Sequence, residues 1–168
     1  VVDFETTGLA PGGGGRATEI AVVLVRGGAI VDRYASLMQS GAWVPPFITQ
    51  LTGISNEMLA EAPPSRQVMQ EVAAFTAGCP LVAHNASFDQ GFWRAEWELA
   101  DLTPDPAHEF ACTVLLSRRL WPEAQRHNLG SMAEFLGLEW EGRAHRALAD
   151  AAITAELLLP IQREVERR

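Results

Sequence analysis

The sequence contains no lysine; all 13 of its basic residues are arginine. That absence excludes a lysine nucleophile, a Schiff base and a phosphate-binding loop of the Walker type, which needs a lysine for the β- and γ-phosphates. Cysteine is scarce. Cys79 and Cys112 stand without a CxxC pair or a nearby histidine, too few ligands for a zinc site. Two buried free thiols in a reducing compartment are the ordinary reading, with a disulfide as the alternative. No apolar run approaches the ~18 residues of a membrane helix, and no signal peptide opens the chain. The expectation is a cytoplasmic protein without membrane contact. Val1 already lies inside an apolar segment, so further residues are expected upstream. Positive charge is also short: 13 basic residues against 21 acidic ones give a net charge of −8. Bulk electrostatic binding of nucleic acid is disfavoured. A site where cations sit between acidic side chains and phosphates is not.

What is present fits one domain spanning residues 1–168. The chain is 48% apolar and 20% charged, the balance of a soluble globular protein long enough to bury a core. It shows no repeats and no linker. Val1–Phe4 reads as a short buried strand, Thr18–Arg26 as a β-branched second strand, and Ala29–Met38 as a third after a Gly27-Gly28 turn. The period then changes. Ser65–Ala77 carries apolar residues at Val68, Val72 and Phe75, the spacing of a helix. Leu81–Ala83 is a short strand, and Ala86–Leu99 a helix with a stripe at Phe88, Phe92, Ala95 and Leu99. A Pro-bearing loop follows over Asp101–Ala107. Phe110–Thr113 is a strand and Val114–Leu120 a helix. Asn128 is placed to cap a helix over Leu129–Leu136, ended by Gly137. The last helix starts near Arg146 and is expected to kink or end at Pro160. A meander followed by helix–strand–helix alternation is an α/β sheet with helices on its faces.

Four acids stand out by position. Asp3 and Glu5 lie two apart on the first strand and so share a face. Two like charges side by side repel, and a hard divalent cation between them removes the conflict. Asp89 sits in the first turn of a helix, within HNASFDQGF, where His84 or Asn85 can cap. Asp150 opens the last helix, in HRALAD, five residues after His145. Five helical residues are ~140° apart, so His145 is better placed in the preceding loop, free to swing over the site. Each acid alone has an ordinary reading as a solvated strand end or a dipole-complementing first-turn residue. Together they carry −4, the charge that two divalent cations cancel. Two hard metals ~3.5–4 Å apart suit in-line displacement at phosphorus, and a neutral histidine can take the proton of the attacking water.

DFETTG (Asp3–Gly8), HNASFD (His84–Asp89) and HRALAD (His145–Asp150) resemble, in order, the three motifs of the DEDDh exonucleases, the group of the DNA polymerase III epsilon subunit and RNase T. The segment ITQLTGISNEML (Ile48–Leu59) is also similar to this family, especially to the exonuclease domain of Gram-positive replicative polymerases. The resemblance implies an RNase H-like fold, a five-stranded mixed sheet flanked by helices. It implies two Mg²⁺ or Mn²⁺ ions, with Asp3 bridging both, Glu5 and Asp150 at the catalytic ion and Asp89 at the second. His145 would be the general base. Thr6 and Leu9 would contact the terminal nucleotide, Leu9 as a wedge between the last two bases, with His84 and Phe88 lining the strand's path. A sister group has YxxxD in the third motif. Here that tyrosine position is Arg146, and the only tyrosine is Tyr34.

The implied activity is 3′–5′ hydrolysis of single-stranded DNA ends to nucleoside 5′-monophosphates. RNA as substrate, a DNA polymerase as partner, a second copy of the chain as partner, and an inert nucleic-acid-binding module stay open as alternatives. Other residues carry weaker signals. PGGGG (Pro11–Gly15) reads as a flexible hairpin loop or a flap near the substrate. Phe92, Trp93 and Trp97 read mainly as core. Arg118 and Arg119 cover a helix face or touch backbone phosphates. His108 and His127 read as surface residues.

Overall fold

A computed structural model describes residues 1–168. The chain runs β1 (Val2–Thr6), a 3₁₀ turn (Pro11–Gly13), β2 (Ala17–Arg26), β3 (Ala29–Leu37), α1 (Pro46–Thr52), α2 (Asn56–Ala60), α3 (Ser65–Phe75), β4 (Leu81–Ala83), α4 (Ala86–Leu99), β5 (Phe110–Cys112), α5 (Thr113–Leu120), α6 (Leu129–Leu136) and α7 (Ala147–Arg167).

The α/β class holds, but the strands form two hydrogen-bonded ladders rather than one five-stranded sheet. β1, β2 and β3 pair antiparallel, and β4 pairs with β5 in parallel. The break has a local cause. Val1 and Val23 exchange hydrogen bonds in both directions, so alternation turns the N–H of Phe4 away from β2 toward the free edge of β1. The Asp89 carboxylate takes that N–H at 2.9 Å. A side chain from α4 thus occupies a position where a further strand would bond.

The β1–β2–β3 sheet is covered on both faces. On one, Val2, Phe4, Ile20 and Val22 pack with Val68, Met69 and Val72 of α3 and with Phe92 and Trp93 of α4. On the other, Ala21 and Val23 meet Ala147, Ala151 and Ala155 of α7. Alanines four apart form one stripe, and their small size lets the α7 backbone lie close to the sheet. A larger residue such as leucine at Ala151 would overpack this contact, at a cost of about 1–3 kcal/mol.

Several elements depart from the expectations. α1 and α2 are short helices with legible ends: Pro46 opens α1, Gly53 closes it at φ 80°, and the Ser55 side chain accepts the Met58 N–H at the start of α2. α7 continues through Pro160 to Arg167. The lost bond is the one to the carbonyl of Glu156, an exposed residue, where water can replace it. PGGGG forms a 3₁₀ turn whose ends meet α4 while Gly12, Gly13 and Gly14 stay exposed: Gly15 is buried, and a Cβ there would lie 2.7 Å from the Ala10 carbonyl oxygen. His108 is buried, with Nε2 bonded to the Thr76 carbonyl and its ring edge-on to Trp93 and Trp97. His127 is half-buried, with Nδ1 2.9 Å from the Ser117 hydroxyl. Both thiols are free and half-buried. Asn128 caps α6 as expected, accepting the Ser131 N–H.

Candidate active site

Asp3 and Glu5 project from β1 on the face covered by α7, and the alanine stripe brings the first turn of that helix over them. The carboxylate oxygens of Asp3, Glu5 and Asp150 can lie within 4.8 Å of one another. Asp89 reaches the same strand from α4, around its edge, anchored by the Phe4 N–H. Residues 3, 5, 89 and 150 therefore converge, with Asp3, Glu5 and Asp150 in one tight group and Asp89 beside them.

The electrostatics of this group are adverse. Burial, and then the charges of Asp89, Asp150, Glu5 and Glu19, raise Asp3 well above the usual carboxylate range. Burial, then the charges of Asp150, Glu19 and Asp89, push Glu5 up to about 9. Burial raises Asp89 to about 7 against the opposing bond from Phe4. Burial also raises Asp150, opposed by the His145 N–H that its Oδ1 accepts at 3.1 Å. Asp3 Oδ2 is inaccessible and has no hydrogen-bond partner. Orphaned buried oxygen and mutually repelling acids are what a hard divalent cation resolves. All-oxygen donors suit magnesium, manganese or calcium rather than soft metals, so the residues present fit such an ion.

His145 lies in the loop before α7. It is exposed and has φ +63°. Leu9 is 91% exposed beyond β1, while Thr6 is buried, its hydroxyl donating to the Gly8 carbonyl. Phe88 is half-buried and tilts on Phe92 at 5.1 Å; Phe92, Trp93 and Trp97 are core. His84 is engaged within the protein. Its Nε2 is 2.8 Å from the His127 carbonyl and its Nδ1 2.7 Å from the Thr113 hydroxyl. A carbonyl only accepts, so Nε2 carries the proton. Burial lowers the ring's affinity for a second one, leaving Nδ1 to accept from Thr113. Asn85 holds the cap position of α4 at φ 65°, without a capping bond from its side chain. Arg118 and Arg119 are exposed on the last turn of α5.

Sequence reasoning missed Glu19. It sits opposite Glu5 on β2, is 5% exposed, and adds to the negative field at Asp3 and Glu5. Its own carboxylate is paired with the Arg146 guanidinium at 2.7 and 3.1 Å and with the Ala147 N–H at 2.8 Å. It therefore ties the start of α7, and so Asp150, to the sheet. Only the lone acid of TEIAVVLVR, where a strand begins, hinted at it, and nothing in that segment names a partner 127 residues away.

A family model described as an exonuclease, of the RNase T type, matches residues 1–158. The chain belongs to the DEDDh exonuclease family. The 3′–5′ exonuclease DinG of Bacillus subtilis is 37% identical over 161 residues, 96% of this chain and 17% of that protein. A PolC-type DNA polymerase III of Bacillus cereus is 36% identical over 98% of this chain and 11% of its own length. The chain thus spans less than a fifth of these two relatives. Among solved structures, exonuclease X in complex with 5′-overhanging duplex DNA matches at TM-score 0.76 and 32% identity, over 96% of this chain and 89% of that one. The nuclease domain of the DEDDh member 3′hExo, bound to rAMP, shares the fold at TM-score 0.81 and 20% identity, over 97% and 90%. Exonucleases of this family depend on divalent metals, and Asp3, Glu5 and Asp150 lie close enough together to hold one. No helix is long and apolar enough to cross a membrane.

Proposed function

We propose that this domain hydrolyses single-stranded DNA from the 3′ end, releasing nucleoside 5′-monophosphates, with two Mg²⁺ or Mn²⁺ ions held by Asp3, Glu5, Asp89 and Asp150. The observation that carries the reading is the convergence of four acids with no arginine among them, beside an exposed histidine. When bound, hard divalent ions supply positive charge for the phosphate and its leaving oxygen and lower the pKa of the attacking water.

The chain's own residues supply the rest. Asp3 and Glu5, fixed on a strand, and Asp150, fixed on α7, set a rigid carboxylate frame, with Glu19 and Arg146 anchoring the helix. His145 takes the proton of the attacking water on its imidazole and passes it to solvent, for which an exposed ring on a loop is suited. Leu9 stands clear of the surface and wedges between the last two bases, with Thr6 placing the backbone behind it. Phe88 offers a partly open ring edge to the strand. His84 acts by holding the β4–α4 turn through Thr113 and His127, and so aims Asp89.

DNA is preferred because relatives above 30% identity include a DNA polymerase and an exonuclease solved with DNA. Association with a polymerase is proposed on the same likeness. Matched single strands of DNA and RNA, labelled at the 3′ or the 5′ end and digested with Mg²⁺, Mn²⁺ or chelator, test the reading together. It requires early loss of the 3′ label, mononucleotide products and complete inhibition by chelator. Cleavage that persists in chelator, or that begins at the 5′ end, contradicts it; faster loss of RNA reassigns the substrate.

A further inference from the structure

The segment ITQLTGISNEML has no part in the chemistry above, yet it touches the loop that carries His145. α1 ends at Thr52, and the last carbonyls of a helix have no partner within it. Two of these, Gln50 and Leu51, accept from Nη2 of Arg143 at 3.1 and 3.4 Å. Gly53 makes the approach feasible. It closes α1 at φ +80°, and a Cβ there would lie 2.2 Å from Arg143 Nη1. A cation at a helix C-terminus is also favoured by the helix dipole.

Arg143 stands two residues before His145. On the other side, Arg146 is fixed to Glu19. His145 between them adopts φ +63°, a conformation unfavourable for a residue with a Cβ and kept only where the surroundings impose it. We infer that Arg143 is a positioning residue: clamped to the carbonyl end of α1, it holds the loop so that the His145 imidazole stands over the carboxylates. This rests on the reading of His145 as general base. It gives the glycine of the LTGI segment a purpose, since any side chain there displaces the clamp.

The test compares Arg143→Ala, Arg143→Lys, His145→Ala and the double variant Arg143→Ala/His145→Ala, on a 3′-labelled single-stranded DNA with Mn²⁺. Backbone amide exchange over residues 143–147 is measured separately on the metal-free proteins. Arg143→Ala is expected to lower kcat about tenfold with KM within about twofold, and to speed exchange of the loop amides while α3 and α4 are unchanged. Arg143→Lys, which keeps a donor, should recover part of both. In the His145→Ala background the same substitution should cost nothing more. A loss carried by KM, or one of equal size without His145, makes Arg143 a substrate contact and overturns the inference, as does unchanged loop exchange. If His145→Ala itself retains full kcat, the base assignment fails, and the exchange data still decide whether the clamp exists.

Discussion

Two sets of acids gather around β1 and β2, with Glu19 of one set directly across from Glu5 of the other, and they are built in opposite ways. Glu96 and Glu19 are each met by a bidentate arginine and by the backbone N–H of the residue after it: Arg16 and Ala17 in the first case, Arg146 and Ala147 in the second. Every charge has its partner. Asp3, Glu5, Asp89 and Asp150 have one another, two backbone N–H groups and no arginine. Burial alone therefore does not mark the functional acids. In a chain with 13 arginines, the mark is where counter-charge has been withheld.

The difference is open to attack by substitution. The largest effect should come from Asp3→Asn, which removes the acid central to the cluster. Nuclease activity is expected to fall on the order of 1,000-fold, while the melting temperature of the metal-free protein rises, because a repelling charge has gone. A fall in both would mean that Asp3 is structural. His145→Ala should reduce kcat about 100-fold or more with circular dichroism unchanged; steady-state kinetics check it.

In the paired set the sign reverses. Glu96→Gln leaves Arg16 without its carboxylate and should destabilise the fold by about 2 kcal/mol, or roughly 4–8 °C in Tm for a domain of this size. Calorimetric scans compare it directly with Asp3→Asn. The same difference should show in the pH response of the metal-free wild type. Glu5 rises from 4.5 to about 9 and Asp89 from 3.8 to about 7. Between the unfolded and folded values the native state holds protons that the unfolded state has released, so stability falls as pH rises. The penalty is absent below about pH 4 and complete above about pH 9. Tm should drop steadily from pH 5 to 9, and saturating Mn²⁺ should recover more at pH 8 than at pH 6.

How much of this was legible in the sequence depended on the range of the interactions. Asp3, Glu5, Asp89 and Asp150 are conspicuous because each interrupts an apolar segment, and strand period or helix position fixes their direction. Capping by Asn128 is local and was read correctly. Glu19 was invisible because its partners, Arg146 and Ala147, are far along the chain. His84 reads as a helix cap or as lining the strand's path for the same reason: Thr113 and His127, which occupy its two nitrogens, come from later elements. α1 and α2 carry proper ends at Pro46, Gly53 and Ser55, but seven and five residues are too few to display a period. Pro160 does not end α7, because a proline's cost depends on whether the carbonyl it frees can find water. Asp89 stands in the place of a ladder bond at Phe4, and such a substitution of side chain for strand has no signature in composition or spacing.

The central claim is that the unpaired acids form one receptacle for hard cations. Calorimetric titration of Mn²⁺ into the chelator-stripped protein at pH 8, with Asp3→Asn in parallel, tests it most directly. The account predicts saturable binding of two ions per chain, accompanied by proton release from the raised carboxyls, and loss of both signals in the variant. Absence of saturable binding, or binding that Asp3→Asn leaves intact, contradicts it.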